Sequence, residues 1–169
     1  VYHDIITQMA ATHRLPSAFV YAIIRQESAF QTQGLSAVGA RGLMQLMPST
    51  ASMVAKLQHL PYRQRDLSQS PRLNIALGTA YLRLLAPRFQ QHPILMAAAY
   101  NAGPTQVRRW LNEKSAQDID VWIETLPWQE TRNYLKNIVA FYTVYQYRLH
   151  QKISLISLLP PLRAQQARL

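Results

Sequence analysis

Glu27 is a carboxylate standing where an apolar side chain is expected. It follows Val20, Ile23 and Ile24 by seven, four and three residues, so it continues the apolar stripe of a helix. Three of the five glycines (Gly34, Gly39, Gly42) come shortly after it, in a segment where backbone can approach closely. A carboxylate at the end of an apolar helical face is poised for desolvation, which disfavours the charged form and raises the pKa. A raised pKa suits a general acid at neutral pH, a role worth about 10²–10⁴ in rate. The same placement also fits a structural ion pair with an arginine from another element, and Arg41 is one candidate. Among the other acidic residues, Asp66, Glu113, Asp118, Asp120 and Glu124 sit near turns, breakers or helix starts, where carboxylates are ordinary.

Little else in the chain offers a reactive group. There is no cysteine, which removes thiolate nucleophiles, thiolate zinc and iron–sulfur sites, and disulfide scaffolds. The five histidines (His3, His13, His59, His92, His150) show no metal-ligand spacing and read as surface or capping residues. The run from Gly34 through Ser36 to Gly39 misses the nucleophile-elbow pattern by one residue, and no phosphate-binding or dinucleotide glycine pattern exists. What accompanies Glu27 is a set of amides and aromatics: Gln45, Tyr100, Asn101, Trp110, Trp122, Trp128 and Tyr134. Aromatic faces with amide donors suit sugar, through stacking and hydrogen bonds to hydroxyls. The same residue types also fill helical cores.

The elements that must position these groups are helices. Tyr2, Ile5, Ile6, Met9, Ala10 and His13 form one stripe at helical spacing, and the Glu27 stripe forms the next, with Pro16 in its first turn. Ser70-Pro71 reads as an N-cap followed by proline at the first helical position, and the stripe from Leu73 to Leu85 follows until Pro87 ends or kinks it. His92-Pro93 opens another helix, which Asn101-Ala102-Gly103-Pro104 closes. Shorter helices are predicted over 105–111 and 120–124. A long one starts near Trp128 and carries Tyr134, Ile138, Phe141, Tyr145 and Leu149. Strand signals are sparse, and the best place for a very small β-hairpin is 30–42. The class is mainly α.

The 169 residues suit one domain, with 49% apolar residues to fill its core. The expected division is a domain over 1–152 and a tail over 153–169 that packs on it or frays. Lys and Arg number 18 against 8 acids, a net charge of +10 that points to a polyanionic partner: nucleic acid, an anionic membrane face or an acidic cell-wall polymer. No concentrated basic stripe or reader motif supports nucleic acid. The longest stretch without charged side chains, 89–107, holds glutamines, His92, Asn101 and two prolines, so no membrane span is expected. The chain starts at Val1 with no visible signal peptide and reads as processed or excised.

Four segments together carry a resemblance. RQESAF at 25–30, SAVGARGLMQLMP at 36–48, AYNAGP at 99–104 and ETRNY at 130–134 resemble the soluble lytic transglycosylase family, in the family's order and near its spacing. The likeness spans roughly residues 15–150 and is nearest to the catalytic C-terminal domain of the large soluble periplasmic enzymes. It implies a lysozyme-like (goose-type lysozyme-like) helical fold, whose cleft holds a peptidoglycan glycan strand. Glu27 matches the family's catalytic acid. Ser36, Gln45, Met47, Tyr100 and Glu130 match positions lining the cleft, with Asn101 and Tyr134 close by. Met47 also fits plain packing, and Glu130 fits a first-turn carboxylate favouring the helix dipole.

The resemblance further implies a lyase acting with one carboxylate. Glu27 protonates the oxygen linking N-acetylmuramic acid to N-acetylglucosamine, and the neighbouring N-acetyl carbonyl, oriented by a group such as Tyr100, stabilises the anomeric carbon. Glu27 then accepts the proton of the sugar's C6 hydroxyl as a 1,6-anhydro ring closes. Basic flanks such as Arg108, Arg109 and Arg132 would draw in the anionic polymer. No cofactor, metal or nucleic acid is implied, and a periplasmic monomer is expected. Two rivals remain: a goose-type lysozyme-like hydrolase using the same acid with a water, and a non-catalytic peptidoglycan-binding module.

Overall fold

Helices form where the apolar spacing and the cap residues call for them. The computed structural model describes residues 2–113 and 118–162. In chain order its helices are α1 (His3–Thr12), α2 (Ser17–Ser28), α3 (Pro48–Leu57), α4 (Asp66–Gln69), α5 (Pro71–Leu85), α6 (Pro93–Ala102), α7 (Pro104–Glu113), α8 (Ile119–Glu124) and α9 (Gln129–Arg148). A 3₁₀ turn, Ala86–Phe89, follows α5 at Pro87. Ser70 caps α5 as its spacing predicts, its hydroxyl accepting the Leu73 amide at 3.2 Å. Pro16 stands one place earlier than expected, at the N-cap of α2.

Two features depart from the sequence reading. α3 carries only a narrow stripe of small residues, Ala51, Val54 and Ala55, and its start at Pro48 is hidden inside a recognisable motif. The hairpin near 30–42 does not form. Only isolated bridges join Leu35 to Arg41 and Arg41 to Leu46. Gly39, Gly42 and Gln45 all take positive φ, and so they break any extended run into turns.

The core explains how a site can be held. α2 lies against α9 in the most extensive helix pairing of the domain, and α6 packs on α5, α7 and α9. A second apolar cluster, under α3 and α4, meets the first through the rings of Tyr81 and Tyr100, whose centroids are 5.5 Å apart. Between the clusters runs the irregular segment 34–47, and α5 fixes it from below. Asn74, 0% exposed, accepts the Met44 amide at 2.8 Å and donates to the carbonyls of Arg41 and Leu67 at 3.0 Å each. The approach is so close that a Cβ on Gly42 would lie 2.1 Å from the Leu67 oxygen, and Gly42 also has φ +77°.

The segment 153–162 lies against α9 and α6. The Gln146 side chain bonds both the amide and the carbonyl of Ser154, Tyr142 meets Ser157, and Leu158 is buried. His92, read as a surface or capping residue, occupies the N-cap position of α6 but is buried, with Nε2 2.9 Å from the Pro160 carbonyl. The rest of the expected tail, 163–169, lies outside the described residues. Among the described residues, no helix is long and apolar enough to cross a membrane.

Candidate active site

Glu27 sits in the last turn of α2. Directly after it the chain leaves the helix through two residues at positive φ, Ala29 (50°) and Phe30 (68°), so the carboxylate ends up at the rim of the core. Tyr134, on the facing side of α9 and 4% exposed, donates its hydroxyl to Glu27 Oε1 at 2.7 Å. Part of Glu27 reaches solvent, yet its carboxyl is enclosed. That burial pushes its pKa from 4.5 up to about 7; the Tyr134 hydrogen bond works against the rise, and the negative charge of Glu130 adds to it. Among the described residues Glu27 makes no ion pair. The alternative of an Arg41 partner is therefore overturned: no ion pair joins Arg41 to Glu27, and the charge of Arg41 acts on Tyr62 instead.

Tyr100, on α6, faces the same carboxylate, but its hydroxyl donates to the Met44 carbonyl at 2.7 Å. Burial, then the charge of Glu27, pushes the hydroxyl pKa of both tyrosines well above the ordinary value, so both stay protonated. Ser28, next to Glu27, donates to the Leu43 carbonyl at 2.8 Å. The peptides of Leu43 and Met44 are thus bolted to the residue beside the acid, to Tyr100 and to Asn74.

The other expected residues have different settings. Gln45, at φ 45°, uses its amide nitrogen as a strut, donating to Gly34 O at 3.0 Å and Gly42 O at 2.9 Å, while its amide oxygen has no partner among the described residues. Ser36 accepts the Ala40 amide at 2.9 Å, and its own proton has no acceptor among the described residues. Met47 is the N-cap residue of α3 and is 39% exposed. Asn101 accepts the hydroxyl of buried Thr131 at 2.8 Å, and its amide nitrogen has no partner among the described residues. Glu130 is exposed in the first turn of α9, close enough for its charge to act on Glu27. Hydrogen bonds and charge therefore join Glu27, Tyr134, Tyr100 and Glu130. Ser36, Met47 and Asn101 bond none of these four.

Burial and pairing decide the residues that the sequence leaves open. Trp110 and Trp122 are core; Trp128 is 48% exposed and stands edge-on to Trp110 at 5.1 Å. Of the basic flanks, Arg109 pairs with Glu113 at 2.9 Å and Arg132 donates to the Leu126 carbonyl. Sequence reasoning missed Ser28 and Asn74. Ser28 adjoins the candidate acid, and Asn74 is an amide inside the apolar stripe of α5, which is the same kind of signal that exposed Glu27. It also treated Glu27 as a lone acid, whereas the fold brings the Glu130 charge within reach.

Two expected results follow from the geometry. Tyr134→Phe removes a hydrogen bond that favours the ionised form, so the acid constant of Glu27 should fall about tenfold, carrying its pKa further above 7. A carboxyl NMR titration reads this directly, and an unchanged pKa would remove Tyr134 from the account. The second concerns stability. Between pH 4.5 and about 7 the folded protein holds a proton on Glu27 that the unfolded chain has released. Stability attributable to Glu27 is therefore complete below pH 4.5 and lost as pH rises through about 7, and the loss is about 2–3 kcal/mol after allowance for partial solvent access. Glu27→Gln should abolish that loss, so denaturant midpoints of variant and wild type should converge at pH 4 and separate at pH 8.

Known proteins carry the same arrangement of helices. The family model described as the transglycosylase SLT domain matches residues 4–123. The soluble lytic murein transglycosylase of Escherichia coli is 38% identical over 158 residues, covering 92% of this chain and 24% of that protein. A putative soluble lytic murein transglycosylase of Haemophilus influenzae is 43% identical over 133 residues, covering 78% of this chain and 22% of its own. The solved 70 kDa soluble lytic transglycosylase of Escherichia coli superposes with a TM-score of 0.89 at 35% identity, over 96% of this chain and 27% of that one. An inactive glutamate-to-glutamine mutant of the lytic transglycosylase Slt from Pseudomonas aeruginosa gives 0.86 at 39% identity, over 90% and 25%. The chain spans about a quarter of the length of these relatives.

Proposed function

The chain belongs to the transglycosylase SLT family and has its mainly helical, lysozyme-like fold; from that premise we propose that it cleaves the β-1,4 bond between N-acetylmuramic acid and N-acetylglucosamine of peptidoglycan without water. The observation that carries this reading is Glu27: a carboxyl with a pKa of about 7, free of any cation among the described residues and fixed by one tyrosine. At neutral pH such a group is protonated often enough to donate and ionised often enough to accept, which is what a two-stage acid–base step needs.

This reading takes its atoms from the hydrogen bonds. Tyr134 donates to Oε1, so Oε1 is an acceptor and the transferable proton belongs on Oε2. Oε2 protonates the glycosidic oxygen, the C1–O bond of N-acetylmuramic acid breaks, and the leaving sugar keeps the proton. The adjacent acetamido oxygen stabilises the electron-poor C1. Tyr100 spends its own proton on Met44, so it presents oxygen, and it orients the acetamide by accepting from its N–H. Ionised Glu27 next removes the proton of the C6 hydroxyl, whose oxygen closes on C1 to give the 1,6-anhydro ring, and Oε2 is reprotonated for another cycle. The negative charge of Glu130 favours the protonated acid at the start. The cleft-lining roles of Ser36, Gln45, Met47, Asn101, Glu130 and Tyr134 belong to the same proposal, as do the periplasm as the place of action and a monomeric state.

Mass analysis of soluble products from purified peptidoglycan tests it. Products one water lighter than reducing muropeptides are expected. Reducing ends would make the protein a hydrolase that uses the same acid, and the absence of any product would leave a binding module.

A further inference from the structure

Among the aromatics whose type suits sugar, Trp128 is used neither by the core nor by the proposed chemistry. The chain has three tryptophans; Trp110 and Trp122 are buried, while Trp128 stands 48% exposed at the N-cap position of α9. The exposed ring is nevertheless held still. It meets the Trp110 ring edge to face, with 5.1 Å between centroids and 86° between planes, and Trp110 is itself fixed in the core. The backbone around it is tied as well. Arg132 gives its guanidinium to the carbonyl of buried Leu126 and its amide to Trp128 O at 3.0 Å, and Pro127 between these two has a fixed φ. The indole N–H has no partner among the described residues. A ligand that covers such a ring meets little ordering cost.

Hydrogen bonds relate this ring to the acid. Six residues along α9 from Trp128, Tyr134 donates to Glu27 Oε1 at 2.7 Å. Six residues of helix rise about 9 Å, so Trp128 begins the helix about that far from the tyrosine that holds the acid. One turn from Trp128, Thr131 donates to Asn101 at 2.8 Å, and Asn101 directly follows Tyr100. Asn101 also brings an amide nitrogen that has no partner among the described residues. On the reading of the protein as a peptidoglycan-cleaving enzyme, on which this inference rests, the ligand is a β-1,4 chain of N-acetylated amino sugars. The C–H face of such a ring stacks on an indole, and its hydroxyl and acetamido oxygens accept from amide N–H groups. We propose that Trp128 is a binding platform for the strand, stacking on a sugar ring beyond the one at the cleaved bond, with the Asn101 amide donating to the same stretch.

The test has two readouts, both on the 169-residue protein. The first is acrylamide quenching of tryptophan fluorescence in Glu27→Gln protein, with and without soluble strands freed of peptide by an amidase. Acrylamide is uncharged, so the strand's own charge does not repel it, and the buried Trp110 and Trp122 respond little. Strands at concentrations above the wild-type KM should remove most of the quenching, and Trp128→Phe in the same background should show no such protection. The second readout is turnover. Trp128→Ala should raise KM on these strands about tenfold with kcat nearly unchanged. Trp128→Phe keeps an aromatic face against Trp110, so its KM should lie between the two, and it carries the test if melting shows that alanine loosens the fold. Quenching that strands leave unchanged overturns the proposal. So does a loss confined to kcat, or a KM equal to wild type in both variants. Failure of wild type to release products from native strands would instead overturn the functional reading beneath it.

Discussion

Glu27→Gln is expected to leave the fold intact and reduce cleavage by at least about 10²–10⁴-fold, the usual worth of a positioned general acid. The loss should exceed that of any other single substitution, because in the proposed reaction one group serves as acid and then as base, and among the described residues no second carboxylate makes a hydrogen bond at the site. Folding should survive because a glutamine oxygen can still accept the Tyr134 hydroxyl in place of Oε1. Substrate binding should survive too, so the drop belongs in kcat with KM little changed. In wild type, activity should fall as pH rises through about 7, because the acid step needs the protonated form. Measured turnover on purified strands within tenfold of wild type would sink the assignment of Glu27.

Glu27 is legible in the amino-acid sequence because its signal is local: three apolar neighbours within seven positions define a face, and a carboxylate on that face is an anomaly. The helices α5 and α9 are legible for the same reason, since their stripes are long and their start residues unambiguous. Non-local facts are not. Tyr134 lies 107 positions from Glu27, and nothing in the spacing joins them; only the resemblance sets the two motifs side by side. Arg41 shows the opposite failure. A count of charges makes it a fair partner for Glu27, but its backbone is placed by bridges to Leu35 and Leu46 and by an amide on α5, contacts that no charge count contains. The tryptophans stay open in the sequence for a simpler reason. An aromatic at helical spacing has the same sequence pattern whether it faces sugar or core, and the fold buries Trp110 and Trp122.

Asn74→Ala should be the most damaging substitution away from the acid itself. The side chain is fully buried and makes three hydrogen bonds to backbone groups from two separate segments. Alanine leaves the Met44 amide and the carbonyls of Arg41 and Leu67 without those partners, and it opens a cavity that Gly42 is too small to fill. The Arg41 carbonyl keeps the Leu46 amide at 3.1 Å, so two buried groups are orphaned at about 1–3 kcal/mol each, and with the cavity a total of about 3–5 kcal/mol is expected. Asn74→Asp should do no better, since it turns a donor into an acceptor between two carbonyls that need a donor. The damage should not stop at stability. The Met44 carbonyl is the acceptor that keeps the Tyr100 hydroxyl turned away from Glu27. Once the segment loosens, Tyr100 can donate to the carboxylate instead, which favours its ionised form and lowers its pKa. Folded Asn74→Ala protein, assayed at low temperature, should therefore lose activity at a lower pH than wild type. A destabilised variant with an unshifted pH profile would mean that Asn74 holds the fold and has no hold on the acid.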